Sequence, residues 1–340
     1  MAIPVDGSAR QRTIGRALAR DVLVDLVTMQ ATQEDPAAEL GAGDLVGRYR
    51  IGDRVGIGGM GAVYRAEHDE HGGTVALKIM HADQLEYPSS TDRMIREAEI
   101  LGAIHHRGIP RLVETGIFEC RPWIAMELVE GTPLATRLAH GVMDADEVLE
   151  LVGAVADVLA AAHALGVTHR DLKPDNIFIT PNGDHAVSLI DWGIAHQVSG
   201  ERYTNLNEAI GTPTYMAPEQ ARGAPTDGRA DVYGLGVVAF RALTGRAPFI
   251  GASAVEILVQ HLNRPPPALG PRCPDAPVCL VDLVEQMLVK DVAARPTAAD
   301  VCAAVRRMRR HRRDPDYHEI EIEHAEPGDQ RQTRPLRAQH

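Results

Sequence analysis

The stretch His169-Arg170-Asp171-Leu172-Lys173-Pro174-Asp175-Asn176, followed by Asp191-Trp192-Gly193, constrains this chain more than any other feature. It packs an acid, a lysine and an amide into six residues, then brings a second acid a short distance later. A long Ala- and Val-rich helical pattern, Asp144 to Leu165, runs into it. Two short strand patterns, Ile177 to Thr180 and Ala186 to Asp191, follow it. The fold must therefore gather a helix end, a polar loop and a strand pair at one edge. Side chains of these types around one point can hold a hydroxyl, a phosphate and a hard cation.

The patterns upstream differ in kind. Strand-like runs cover Tyr49 to Val55, Ala62 to Glu67 and Thr74 to Met80, with Gly-rich turns between them. A helix is predicted from Ser89 to Ala103, then strands near Arg111 to Phe118 and Pro122 to Leu128. After Gly131 helices dominate: Asp227 to Thr244, Ala252 to Leu262, Val278 to Val289, and Ala298 to about Arg310. A strand-rich front and a helix-rich back predict an α+β fold with two unequal lobes, 49–130 and 131–310. Glu127 to Gly131 is then a hinge over a ligand cleft. Residues 1–48 read as an extension. Ile14, Leu18, Val22 and Leu26 give it a short amphipathic helix, and Gln33 to Gly43 a linker. The basic run Arg306 to Arg313 reads as a solvated helix end, and 311–340 as a charged, disordered tail.

Composition narrows the class. The formal charge of −12 argues against a sequence-independent nucleic-acid binder, which needs a basic face. Aromatics make up only 4% of the 340 residues, so aliphatic side chains and Ala must fill the core. Cys120, Cys273, Cys279 and Cys302 show no CxxC spacing and read as reduced thiols, although Cys273 and Cys279 are near enough in sequence to bridge. No run reaches the roughly 18 apolar residues of a spanning helix, and Val232 to Leu243 is interrupted by Arg241. Asp21 and Asp25 break any signal-peptide pattern. The expectation is a soluble cytoplasmic protein.

Several further motifs fit the polar loop. Val55 leads into Gly56-Ile57-Gly58-Gly59-Met60-Gly61-Ala62-Val63, a G-x-G-x-x-G run. A dinucleotide-binding turn would need a helix after it, and a strand pattern follows instead. A glycine hairpin covering phosphates with backbone N–H groups fits better, because a Cβ would hold the backbone away. Lys78 interrupts an apolar strand beside Ala76. It is either a snorkelling surface lysine or a cleft cation in need of an anionic partner, with Glu97 and Glu99 as candidates.

Taken in order, these motifs resemble Hanks-type, eukaryotic-like bacterial serine/threonine protein kinases. The resemblance runs from about Tyr49 to Arg310. It implies ATP bound by Val55 to Val63, Ala76 and Lys78, with Glu97 pairing Lys78 and Met126, Glu127 and Val129 forming gatekeeper and hinge. The backbones of Glu127 and Val129 would read adenine. Asp171 would orient the acceptor hydroxyl and take its proton, a task within reach of a weak base. Lys173 would neutralise the moving phosphoryl group, and Asn176 and Asp191 would hold Mg²⁺. Gly211-Thr212-Pro213-Thr214-Tyr215-Met216-Ala217-Pro218-Glu219 matches the substrate-facing loop, and Thr212 with Lys173 points to protein Ser/Thr acceptors. Glu219 would pair with Arg295, and Asp231 would anchor the catalytic-loop backbone. Trp192 stands where the family usually has Phe, and its indole N–H needs a partner. A phosphate on Thr204, with Ser199 and Tyr203 as neighbours, would pair with Arg170 and regulate the enzyme. A non-enzymatic scaffold of the same fold and a small-molecule phosphotransferase are the competing readings.

Overall fold

The computed structural model describes residues 40–180, 185–192 and 213–313. The predicted front strands form one six-stranded antiparallel sheet. They are β1 (Leu45–Val46), β2 (Tyr49–Ile57), β3 (Gly61–His68), β4 (Thr74–Met80), β5 (Leu112–Phe118) and β6 (Arg121–Glu127), in spatial order β1-β2-β3-β4-β6-β5. Strand alternation covers both faces. Val75, Leu77 and Ile79 pack outward with Tyr49, Ile51, Tyr64 and Trp123. Ala76 and Met80 pack inward with Met94, Ala98 and Leu101 of helix α1 (Pro88–Ala103). Lys78 shares the inward face.

Helix α1 buries Ser90, Met94, Glu97, Ala98 and Leu101, the spacing of one helical stripe. Glu97 therefore lies within the packed face. Glu99 lies off it and pairs with Arg96 at 3.0 Å.

A small sheet of β7 (Thr132–Pro133), β8 (Ile177–Ile179) and β9 (Val187–Leu189) opens the second lobe. Helices α2 (Leu134–Ala139) and α3 (Ala145–His163) lie between β7 and β8. Asp144 starts α3 with a capping box: its carboxylate accepts from Glu147 N at 2.8 Å, and Glu147 accepts from Asp144 N at 3.0 Å. Helices α4 (Pro218–Ala221), α5 (Arg229–Thr244), α6 (Ala254–Asn263), α7 (Val278–Met287) and α8 (Ala298–Arg313) complete it. Helix α5 is buried almost throughout and packs against α3 and α7. The fold is α+β with two unequal lobes.

The structure departs from the sequence reading in three places. Strand β1 pairs with β2 and Val46 is fully buried, so the sheet starts before the division at 48. Helix α2 is a single short amphipathic stretch with no strong start signal, and periodicity did not show it. Helix α8 continues past Arg310 to Arg313, and its basic face is not simply solvated. Arg309 pairs with Glu150 at 2.6 Å, and Arg312 pairs with Asp146, both acids on α3. Intra-helix periodicity does not reveal partners on another helix. Residues 1–39, including the amphipathic pattern, lie outside the described residues, as do 314–340. Among the described residues the four cysteines are unpaired, and no helix is long and apolar enough to cross a membrane.

Candidate active site

Strand register assembles the roof of the cleft. Val63 faces Lys78, and Ala76 faces Met126, as direct cross-strand partners. The glycine hairpin between β2 and β3 closes on itself, with Gly58 N donating to Gly61 O at 2.9 Å. Its glycines have different reasons to be there. A Cβ on Gly56, Gly58 or Gly59 would meet nothing closer than 3.8 Å, so these positions stay open to an approaching ligand. A Cβ on Gly61 would collide with the carbonyl oxygen of Ile79, so this glycine permits close packing of the sheet. Ile57 pairs with Ala62, whose side chain is buried in the outer core, so these two can offer the cleft only backbone. Val55, with 54% of its surface exposed, and partly buried Met60 complete the flap.

Lys78 is the centre of charge. Its Nζ donates to Glu97 Oε1 and Oε2 at 3.0 and 2.9 Å and to Asp191 Oδ1 at 2.7 Å. The lysine is thus neither snorkelling nor paired with Glu99. Burial works against its charge, but Glu97 and Asp191 outweigh it and hold the amine pKa above the ordinary value. One cation shared by two acids leaves a surplus negative charge. Burial raises the Glu97 carboxyl despite Lys78, whereas Lys78 overcomes burial at Asp191 and holds that carboxyl below the usual range.

The floor comes from the loop after α3. Lys173 Nζ donates to Asp171 Oδ2 at 2.8 Å. Asn176 Nδ2 donates to Asp171 O at 2.8 Å and approaches Asp171 Oδ2 at 3.3 Å, so its amide oxygen is the end left for another partner. Ile190 N donates to Asn176 O at 3.1 Å, which sets Asp191 beside Asn176. Glu97, Lys78 and Asp191 form one hydrogen-bonded group and Asp171, Lys173 and Asn176 another, and the two meet in one polar cluster through the Ile190–Asn176 backbone bond. The backbone is strained at two of its joints: Arg170 and Asp191 have φ of 66° and 52°.

The strain at Arg170 is held from both sides. Asp231, 1% exposed, accepts from the backbone N–H groups of His169 and Arg170, both at 2.7 Å. Gln220 Nε2 donates to Arg170 O at 2.8 Å. Arg295 clamps α4 from behind, donating to Glu219 Oε1 and Oε2 at 2.7 and 3.1 Å. Trp192 is buried against the His169 ring, and its Nε1 donates to Leu189 O at 3.1 Å. The larger indole thus satisfies its donor inside the core.

A family model for the protein kinase domain matches residues 49–305. This chain belongs to the protein kinase domain family. It is 40% identical over 251 residues to the serine/threonine-protein kinase Pkn1 of Myxococcus xanthus, covering 72% of this chain and 36% of that one. It is 36% identical over 267 residues to the serine/threonine-protein kinase PknJ of Mycobacterium tuberculosis, covering 77% and 45%. The chain thus spans less than half the length of these two curated relatives. The crystal structure of the PknI kinase domain of Mycobacterium tuberculosis is similar with a TM-score of 0.63 at 28% identity, covering 79% of this chain and 99% of that one.

Within this kinase domain, three supporting residues escaped the sequence reading. Gln220 is one. His163 is the second: its Nε2 lies 2.8 Å from Asp231 Oδ2. Gly228 lets that ring in, because a Cβ there would collide with His163 Nδ1. His81 is the third, with Nε2 3.0 Å from Gly58 O and its backbone N–H on Met60 O, so it holds the flap tip. A lone Gln or His has no spacing signature, and only the fold shows its partner. At the hinge, Glu127 N donates to Arg111 O at 2.9 Å, and Val129 is partly buried in the unpaired connector. Thr204 and Thr212 lie outside the described residues.

Proposed function

We propose that this chain is a serine/threonine protein kinase that transfers the γ-phosphoryl group of ATP to protein Ser or Thr hydroxyls. The observation that carries this reading is the meeting of two hydrogen-bonded groups, Glu97–Lys78–Asp191 and Lys173–Asp171–Asn176, at the Ile190–Asn176 backbone bond. A scaffold has no need to keep so many buried or half-buried charges at hydrogen-bonding distance. Trp192, the departure from the family's usual Phe, is accommodated with its N–H on Leu189 O.

Each residue has a task that its geometry permits. Lys173 and Asn176 orient Asp171 through Oδ2, and its other oxygen accepts no hydrogen bond from the described residues. That oxygen accepts the acceptor hydroxyl and takes its proton as transfer proceeds. Lys78, held charged by Glu97, faces the phosphates. The donor set for a divalent cation is the Asn176 amide oxygen and the Asp191 carboxylate, both hard oxygens suited to Mg²⁺. When bound, such an ion neutralises phosphate charge and orients the nucleotide. Val55 to Val63 cover the phosphates, and Ala76, Met126, Glu127 and Val129 border the base.

The test is incorporation from radiolabelled ATP into a generic basic protein, with phosphoamino-acid analysis. Asp171→Asn is expected to lose about 10²- to 10⁴-fold in rate, with label in phosphoserine and phosphothreonine for the wild type. Equal incorporation by both proteins would overturn the assignment. Regulation by autophosphorylation of Thr204, answered by Arg170, belongs to the same proposal. Thr204→Ala is expected to lower activity and remove one phosphate from the intact mass after ATP incubation; unchanged activity and mass would refute it.

A further inference from the structure

Away from the cleft, three side chains from three separate elements direct ligand atoms at one spot. His106 lies in the turn after α1, Asp157 on α3, and His185 just before β9. His106 Nε2 is 3.3 Å and His185 Nε2 3.4 Å from the same oxygen, Asp157 Oδ2. All three ligand atoms lie within 4.8 Å of one another. Both contacts are longer than the roughly 2.7–2.9 Å of charge-assisted hydrogen bonds. They match another geometry: zinc bonds of about 2.0–2.1 Å at tetrahedral angles place ligand atoms roughly 3.3 Å apart.

The surroundings support ligation. His185 Nδ1 is 2.9 Å from the Val187 carbonyl and 3.3 Å from the Val187 N–H, and with the ring proton on Nδ1 the shorter contact leaves Nε2 its lone pair. His106 Nδ1 accepts the Gly108 N–H at 3.0 Å, so ligation through Nε2 moves the ring proton to Nδ1 and gives up that hydrogen bond in exchange for the metal bond. Arg306 approaches only the other Asp157 oxygen, at 3.9 Å, from an exposed position. Both imidazoles border a cavity of about 890 Å³ behind the hinge, which gives solvent access to the position that three protein ligands leave open.

We propose that His106, Asp157 and His185 form a binding site for a transition-metal ion of the zinc type. Two imidazoles and one carboxylate suit Zn²⁺ or Co²⁺ rather than Mg²⁺. The ion would staple the turn that ends α1, the helix carrying Glu97, to α3 of the second lobe. This site is separate from Asn176 and Asp191 and does not depend on the proposed activity.

The test uses the whole 340-residue chain, stripped with a chelator and dialysed into excess Mg²⁺. Zn²⁺ is titrated calorimetrically and Co²⁺ by visible absorption. The wild type is expected to bind one equivalent that Mg²⁺ does not displace, with a tetrahedral Co²⁺ band and a raised Tm. His185→Ala and Asp157→Asn are each expected to weaken that equivalent at least about tenfold and to lose the band. Asp157 has 48% of its side chain exposed, so Asp157→Asn is expected to keep the metal-free Tm even where His185→Ala lowers it. Exposed His140, whose Nδ1 meets only Thr136 O, serves as control, and His140→Ala is expected to keep the site. No binding by the wild type, or an equivalent that survives in both variants, would overturn the proposal.

Discussion

Two buried ionic clusters in this molecule are built differently. In the second lobe, the Arg295 fork makes four hydrogen bonds: two to Glu219, one to Arg229 O at 2.7 Å and one to Val289 O at 3.0 Å. Its plane also lies over the Tyr233 ring at 5.0 Å. In the cleft, Lys78 is a point charge shared by Glu97 and Asp191, which come from elements far apart in sequence. Charges balance in the first cluster and do not in the second. A planar fork bonded at all three of its nitrogens fixes one geometry, whereas a compact ammonium among surplus carboxylates can exchange partners. The difference separates a fixed clamp from a cluster able to re-pair.

The largest expected effect breaks the clamp. Arg295→Ala leaves Glu219 as an uncompensated buried charge and is expected to cost about 3–5 kcal/mol, measured by urea unfolding. A loss below about 1 kcal/mol would mean the cluster is not structural.

Next is a pH effect in the padding around that clamp. Tyr233 OH lies 2.9 Å from His261 Nδ1 and accepts from Lys290 Nζ at 2.9 Å. Burial first, then the Lys290 charge, lower the His261 pKa to about 4. The unfolded chain, with an ordinary histidine pKa near 6.5, binds this proton first as pH falls. Stability from this group is therefore complete above about pH 6.5 and lost as pH falls towards 4, by up to about 3 kcal/mol. His261→Gln is expected to flatten that part of the stability profile. An unchanged acid slope would contradict the assignment.

The smallest stability effect sharpens the contrast. Glu97→Gln leaves Lys78 paired with Asp191, and burial already opposes ionisation of Glu97. Unfolding free energy is expected to shift by less than about 1 kcal/mol, while phosphoryl transfer falls. A loss as large as that of Arg295→Ala would erase the distinction between the two clusters.

The sequence exposed what is local and ordered. The acid, lysine and amide of the catalytic loop stand within one turn of chain, and the structure links them by hydrogen bonds. Strand and helix patterns were legible because burial enforces their periods. Less legible was anything set by a partner distant in sequence. Glu97 and Glu99 are equal as letters, and only the packed stripe of α1 separates them. The Arg-rich end of α8 reads as a solvated charge run until α3 supplies Glu150 and Asp146. Strand β1 has two residues, too few to carry a period, and it is fixed by pairing with β2. The glycine run reads as a hairpin from the sequence, but the separate task of Gly61 depends on the Ile79 carbonyl in the next strand.

The most direct test separates nucleotide binding from transfer. Mg²⁺–ATP affinity and single-turnover phosphoryl transfer are measured together for the wild type, Asp171→Asn and Asp191→Ala. Asp171→Asn is expected to keep affinity within about threefold while transfer falls at least about a hundredfold. Asp191→Ala is expected to lose Mg²⁺-dependent affinity as well. Transfer by Asp171→Asn at the wild-type rate, or Mg²⁺-dependent nucleotide affinity unchanged in Asp191→Ala, would contradict the account.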